Sequence, residues 1–304
     1  MLRMHSLAKC STIALCLGMT SLAVGCTTST ESRMVVDQLA FRSLADGGLY
    51  LMNADGSGSV RIWHDSTDGP MCPIWSPDGR SIGFHKFLAN QIYVLTLASG
   101  TARQLTSGPD WNQCPIWSPD GTRMAYLSGP STAPNGYALF TMKADGTGQT
   151  RLGTGGFDAD RGAWSPDGRW ILVSSFESSH LVLVDAATGA IGKELTSGPD
   201  RAPAWSPDGT SIVFSRQLSD MTIFVMRADG SSLKQLTAPP PGTTDGYPTW
   251  SPDGRLIAFH RYTQSSSSGQ LVATVLLVDA QGNAVSWPDG FQHLGDLPIW
   301  RPRP

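Results

Sequence analysis

The pentapeptide Trp75-Ser76-Pro77-Asp78-Gly79 recurs letter for letter from Trp117, Trp164, Trp205 and Trp250, and a degenerate sixth copy, Ile299-Trp300-Arg301-Pro302, stands near the end of the chain. Successive frame tryptophans are 42, 47, 41, 45 and 50 residues apart. Chance does not produce five such copies, and the period is that of a four-stranded unit, well above the roughly 33 residues of the short helical repeats. Each period has one grammar. A Pro-x-Trp strand meets the Ser-Pro-Asp-Gly turn, and an alternating strand such as Ile257-Ala258-Phe259 follows. A third strand such as Ile223-Phe224-Val225-Met226 runs into Ala228-Asp229-Gly230, and Lys234-Gln235-Leu236-Thr237 ends the unit. Proline presets φ, aspartate bonds its own backbone, and glycine takes the positive φ that leads back into a strand, so the pentapeptide is turn chemistry.

Composition points the same way. Of 25 acidic residues 22 are Asp and 3 are Glu, beside 33 Gly, and this favours turns between strands over helices. Hydrophobic residues at 40% and ten tryptophans exclude disorder. A formal charge of -3 excludes broad affinity for nucleic acid.

The predicted fold is all-β, a six-bladed β-propeller of four-stranded antiparallel blades over residues 38–304. Leu39-Ala40-Phe41, Leu49-Tyr50-Leu51-Met52 and Val60-Arg61-Ile62-Trp63 are three strands with no Pro-x-Trp strand before them, while Pro298-Ile299-Trp300 is such a strand with nothing after it. The C-terminal strand is therefore expected to join the N-terminal blade as its innermost strand, which closes the ring and removes unpaired edges. The Pro-x-Trp-Ser-Pro-Asp-Gly frame resembles the TolB-type propeller repeat over residues 38–304. That resemblance implies the fold, and the same repeat also builds propellers of peptidases, metal-dependent lyases and interaction proteins. TolB carries a small α/β domain before its propeller; here a short polar tether is expected instead.

Residues 1–25 read as an address. Arg3 and Lys9 precede an uncharged, largely apolar run over residues 10–25, too short for a membrane span of about 20 residues. Leu22-Ala23-Val24-Gly25-Cys26 resembles the lipobox of bacterial lipoproteins, which makes Cys26 the lipidated residue and residues 26–37 the tether. Thr27, where an inner-membrane retention signal has Asp, favours the periplasmic face of an outer membrane. Removal of Arg3 and Lys9 leaves 20 basic and 25 acidic residues, a mildly acidic mature chain. Cys72 and Cys114 share the frame Cys-Pro-Ile-Trp and are expected to be two unbridged, semi-buried thiols, a disulfide being the alternative. No metal ligand set is assigned to them, for lack of a CxxC or a His pair.

In a propeller the Ser-Pro-Asp-Gly and Ala-Asp-Gly turns share one face, and the connections of variable length share the other. Variable loops on a rigid scaffold are where binding resides. The segments leading into the inner strands carry Asp68, Asp110 with Trp111, Asp158, Asp160 with Arg161, Asp200 with Arg201, Asp245 with Tyr247, and His293 with Asp296. They predict a channel mouth with a carboxylate from each blade, able to take a cation or a basic peptide; the plain alternative is that each Asp caps its own loop. Asp78, Asp120, Asp167, Asp208 and Asp253 are assigned to turn geometry and the frame tryptophans to packing between blades. His85 and His260 follow equivalent phenylalanines and read as exposed strand-end residues. No nucleophile elbow, HExxH or phosphate loop is present, and no second hydrolase domain is expected. The function expected is that of a non-catalytic, monomeric, lipid-anchored envelope propeller binding a protein or peptide, without cofactor and touching the membrane through its anchor alone. The alternative is a metal-assisted polysaccharide lyase or hydrolase using mouth carboxylates and His293. A third reading is a spacer that only stabilises an envelope complex.

Overall fold

A computed structural model describes residues 37–132, 134–158, 160–264, 271–287 and 293–303. Cys26 and the expected signal peptide and tether up to residue 36 lie outside the described residues. Six antiparallel sheets make up the rest, one per frame tryptophan. In chain order from the inner strand outward, blade 2 is Pro70–Trp75, Ser81–Lys86, Ile92–Thr96 and Thr101–Gln104. Blade 3 is Trp111–Trp117, Arg123–Gly129, Ala138–Lys143 and Thr150–Arg151. Blade 4 is Ala163–Trp164, Trp170–Ser174, Leu181–Asp185 and Ile191–Glu194; blade 5 is Asp200–Trp205, Ser211–Gln217, Met221–Arg227 and Lys234–Gln235. Blade 6 is Thr244–Trp250, Leu256–Gln264, Leu271–Asp279 and Ala284–Val285, with His293–Leu294 pairing further along the same third strand.

Blade 1 closes the ring as expected. Its inner strand is Asp296–Trp300, paired to Gln38–Arg42 through Leu39 with Trp300 and Ala40 with Ile299, and followed by Leu49–Asn53 and Val60–Trp63. The chain is thus an all-β six-bladed propeller.

The pentapeptide does the same work in all five copies. Ser76 Oγ donates to Asp78 Oδ1 at 2.6 Å and accepts the Ser81 N–H at 2.9 Å, while Gly79 sits at φ +65°. The corresponding serine-to-aspartate bonds at Ser118, Ser165, Ser206 and Ser251 measure 2.5 to 2.6 Å. With its polar groups satisfied, each turn returns the chain so that apolar side chains alternate into the spaces between blades.

Hydrophobic clusters accordingly bridge neighbouring sheets. Ala40, Leu49, Leu51 and Ile299 of blade 1 pack with Trp75, Ile82, Phe84 and Leu95 of blade 2. Val213, Ile223 and Leu236 of blade 5 pack with Trp250, Ile257 and Phe259 of blade 6. Burying each such large side chain is worth about 1.5–3 kcal/mol, so stability resides in contacts between adjacent blades. Trp75, Trp164, Trp250 and Trp300 are buried at these seams, as their role in packing requires.

Candidate functional site: the axial ring

Three residues before each frame tryptophan, in the inner strand or just before it, stand Cys72, Cys114, Arg161, Ala202, Tyr247 and Leu297. Five of them precede a proline and adopt left-handed backbone, with φ between 46° and 53°. Blade 4 differs, having Arg161 followed by Gly162. Pairing with the second strand shifts register at this point in blades 2, 3, 5 and 6, the mark of a β-bulge, and bulges re-aim side chains. A non-glycine residue held at positive φ costs of order 1–3 kcal/mol and persists where its surroundings over-determine it.

For three of them the support comes from the preceding blade. His85 Nδ1 accepts the N–H of Cys114 at 3.2 Å, Ser215 Oγ accepts that of Tyr247 at 3.2 Å, and His260 Nδ1 accepts that of Leu297 at 3.3 Å. The three acceptors stand ten residues after their own frame tryptophan. His85 and His260 are therefore buried, at 6% and 3% exposure, and the expectation of exposed strand ends is corrected: sheet twist carries them beneath the neighbouring inner strand.

Around the axis four of these positions interact. Arg161 reaches from blade 4 to blade 6, where Nη2 donates to the Pro248 carbonyl at 2.9 Å and the guanidinium lies 5.4 Å from the Tyr247 ring centroid. The Tyr247 hydroxyl bonds the half-buried Asp160 carboxylate, whose pKa burial pushes up to about 6. The charge of Asp160 in turn raises Tyr247 well above the ordinary phenol value. Cys72 and Cys114 are buried and form no disulfide, but their side chains hydrogen-bond each other. That bond from Cys114, helped by His85 and the positive charge of Arg161, lowers the Cys72 pKa. The same bond, with burial and the charges of Cys72 and Asp160, raises that of Cys114 against the pull of Arg161. Both thiols are more deeply buried than the expected semi-buried state.

Two cavities flank the ring. On the tight-turn side a space of about 360 Å³ is walled by frame tryptophans, prolines, Ile74 and Ile116, and Arg161 lies in its lining. On the variable-loop side a space of about 170 Å³ is lined by Asp160, Arg201, Asp245, Tyr247, His260 and Tyr262.

Of the mouth residues expected from the sequence, Asp160, Arg161 and Tyr247 belong to this ring, and the others differ in their surroundings. Asp200, Asp245 and Asp296 are fully buried and held by cross-strand arginines: Arg216 at 2.6 and 2.8 Å, Arg261 at 2.6 and 2.7 Å, and Arg42 at 2.8 and 2.5 Å. Tyr262 also donates to Asp296. Asp68 accepts the backbone N–H groups of Leu88 and Ala89 at 2.6 and 2.9 Å, as a loop cap does. Asp110 and Arg201 are exposed, Trp111 is half-buried, and Asp158 is half-buried with its pKa raised by burial against the pull of Arg201. The His293 backbone pairs with Val275, while its side chain lies outside the described residues. Sequence reasoning missed that Cys72 and Cys114 share one ring with Arg161 and Tyr247, although their common offset from the frame tryptophan was visible.

The model of the TolB beta propeller domain matches residues 30–283. Among solved structures the chain is similar to TolB from Acinetobacter baumannii, with 19% identity and a TM-score of 0.69, covering 88% of this chain and 67% of that one. It is similar also to a putative TolB from Agrobacterium tumefaciens, with 21% identity, a TM-score of 0.64 and coverage of 88% and 99%. An oligogalacturonate lyase in complex with manganese shares the fold at 12% identity and a TM-score of 0.53, with coverage of 84% and 77%. No curated protein matches the chain in sequence. With the family model spanning most of its length and the propeller closed blade by blade, the chain belongs to the TolB beta-propeller family.

Proposed function

We propose that this chain is a lipid-anchored envelope propeller that binds a protein or peptide through its variable-loop face, and that it does so as a non-catalytic monomer held to the outer membrane at Cys26. One observation carries the reading. Of the large hydrophobic residues exposed among those described, Leu44, Phe87, Leu88, Phe176, Leu218 and Leu271 sit at or next to the connection between second and third strands, in five different blades. Their exposure runs from 40% to 67%. These connections share a face with the segments leading into the inner strands, as the bonds from Leu88 and Ala89 to Asp68 illustrate. Apolar residues recurring around one rim, with Asp110, Trp111 and Arg201 between them, make a surface of the mixed kind that protein partners cover. The reading of a metal-assisted lyase or hydrolase needs open carboxylates at the mouth, and Asp200, Asp245 and Asp296 are each engaged by an arginine.

Crosslinking in cells, with recovery of partners from the envelope, tests the reading. Phe87→Ser with Leu88→Ser, and separately Leu218→Ser, are expected to lower partner recovery at least about tenfold, the effect of losing roughly 1.4 kcal/mol of contact. Undiminished recovery from both variants overturns the assignment of this face. In the same cells Cys26→Ser is expected to release the protein from the membrane fraction, and retention there overturns the anchor.

A further inference from the structure

We propose that Cys72, Cys114 and His85 bind a thiophilic d10 metal ion, Zn(II) or Cu(I), at the axis of the propeller. The site is independent of the docking face proposed above. One ligand atom from each of the three residues lies within 4.8 Å of the others, and all three residues are buried. Donors at about 2.0–2.3 Å from a tetrahedral ion are themselves about 3.3–3.8 Å apart, so each side chain needs to move by no more than about 1 Å to close on a common centre. Two sulfurs and an imidazole form the donor set that such ions select over Mg(II), Ca(II) or Mn(II).

The surroundings are prepared for the same chemistry. His85 Nδ1 accepts the Cys114 N–H at 3.2 Å, a bond that fixes the imidazole beside the two thiols. Both cysteines are turned toward the axis by left-handed backbone, with φ of 46° and 47°, ahead of prolines that stiffen the strand. The histidine of blade 2 and the inner-strand thiols of blades 2 and 3 are thus fixed before any ion arrives, which lowers the ordering cost of binding.

Charge also balances. Arg161 is buried beside the sulfurs and Asp160 interacts with both of them. With both thiols ionised, Zn(II) and Arg161 offset two thiolates and the Asp160 carboxylate. Each thiol that still holds its proton gives it to solvent as the metal–sulfur bond forms, and nothing is oxidised or reduced. The equivalent histidine of blade 6 faces Tyr247 and Tyr262 in place of sulfur, so the donor set is particular to the seam between blades 2 and 3.

The test titrates the reduced, purified chain with Zn(II) and with Cu(I), each against a chromophoric competing chelator, and uses Co(II) as a spectroscopic surrogate. One ion per chain is expected, with a sulfur-to-cobalt charge-transfer band for Co(II). Cys72→Ser and Cys114→Ser are each expected to weaken binding more than about 100-fold, beyond what changes outside the ligand set produce. His85→Gln should weaken it as well, whereas His260→Gln, which alters the equivalent latch, should leave it unchanged. Folding of every variant is checked by its thermal transition, and the serine variants, nearly isosteric, carry the test where His85→Gln melts early. Equal uptake by a Cys72→Ser/Cys114→Ser double variant overturns the proposal. So does a chain isolated from the envelope two hydrogens lighter than the reduced mass, with Cys72 and Cys114 joined.

Discussion

His85 and His260 occupy the same place in blades 2 and 6, and each accepts a backbone N–H from the following blade, at 3.2 and 3.3 Å. Their backbones and latches are alike, but their neighbours are not. His85 looks onto two cysteines, whereas the ring of His260 lies 5.4 Å from Tyr247 and 4.4 Å from Tyr262, with Gly246 so close that a Cβ there would fall 2.8 Å from Nε2. The difference extends around the disc. Blades 2 to 4 bring sulfur, imidazole and guanidinium together, while in blades 5, 6 and 1 the inner strand carries a buried aspartate held by an arginine. The repeat builds one scaffold six times, and chemistry enters where the copies depart from one another.

The sharpest way to break the comparison is to unseal one pair. Arg261→Ala leaves the fully buried Asp245 carboxylate without its partner and is expected to cost about 3–5 kcal/mol in urea unfolding. Asp245→Leu combined with Arg261→Met removes both charges and is expected to recover most of that loss. If Arg261→Ala unfolds at the wild-type midpoint, the pair does not hold the blade.

His260 supplies the next effect. Burial lowers its pKa to about 4, with the nearby Asp296 charge opposing and Arg161 and Arg42 assisting. In the unfolded chain an imidazole titrates near 6.5, so between that value and 4 the unfolded state binds the extra proton. Stability contributed by neutral His260 is therefore complete above pH ~6.5 and lost as pH falls toward ~4, by about 3 kcal/mol. His260→Gln keeps an acceptor for the Leu297 N–H and should flatten the curve in that window. An unchanged slope in urea unfolding from pH 7 to about 4 would show that the imidazole is not held neutral.

Blade number, strand order and ring closure were legible because each depends on a pattern the chain repeats: a tryptophan, a turn, an alternation. The axial ring was legible only in pieces. Cys72, Cys114, Arg161 and Tyr247 were each noticed, but the bulge that turns them together arises from left-handed backbone before proline, which alternation of apolar residues does not signal. The buried aspartates looked like an acidic mouth because their arginines lie elsewhere in sequence. Arg216 and Arg261 are 16 residues downstream, and Arg42 meets Asp296 across 254 residues, so only strand register pairs them. The rim of exposed apolar residues was missed for a similar reason, since Leu44, Phe176 and Leu218 stand among polar loop residues and become one feature only when the blades are arranged side by side.

The smallest effect sharpens the comparison from its uniform side. In every pentapeptide the serine hydroxyl donates to the aspartate and accepts a backbone N–H five residues on, at 2.9 Å in each copy. Replacing the serine by alanine removes two hydrogen bonds and leaves one N–H without its partner, an expected cost of about 1 kcal/mol. Because the five turns share one geometry, Ser76→Ala, Ser118→Ala, Ser165→Ala, Ser206→Ala and Ser251→Ala should shift the unfolding midpoint by nearly equal amounts. The latch positions His85, Ser215 and His260 should not, since each rests in a different environment. Unequal costs among the five serines would mean that the blades differ in stability even where their chemistry is identical. Equal costs there beside unequal costs at the latches would locate the divergence of the copies at the axis, where the six inner strands meet.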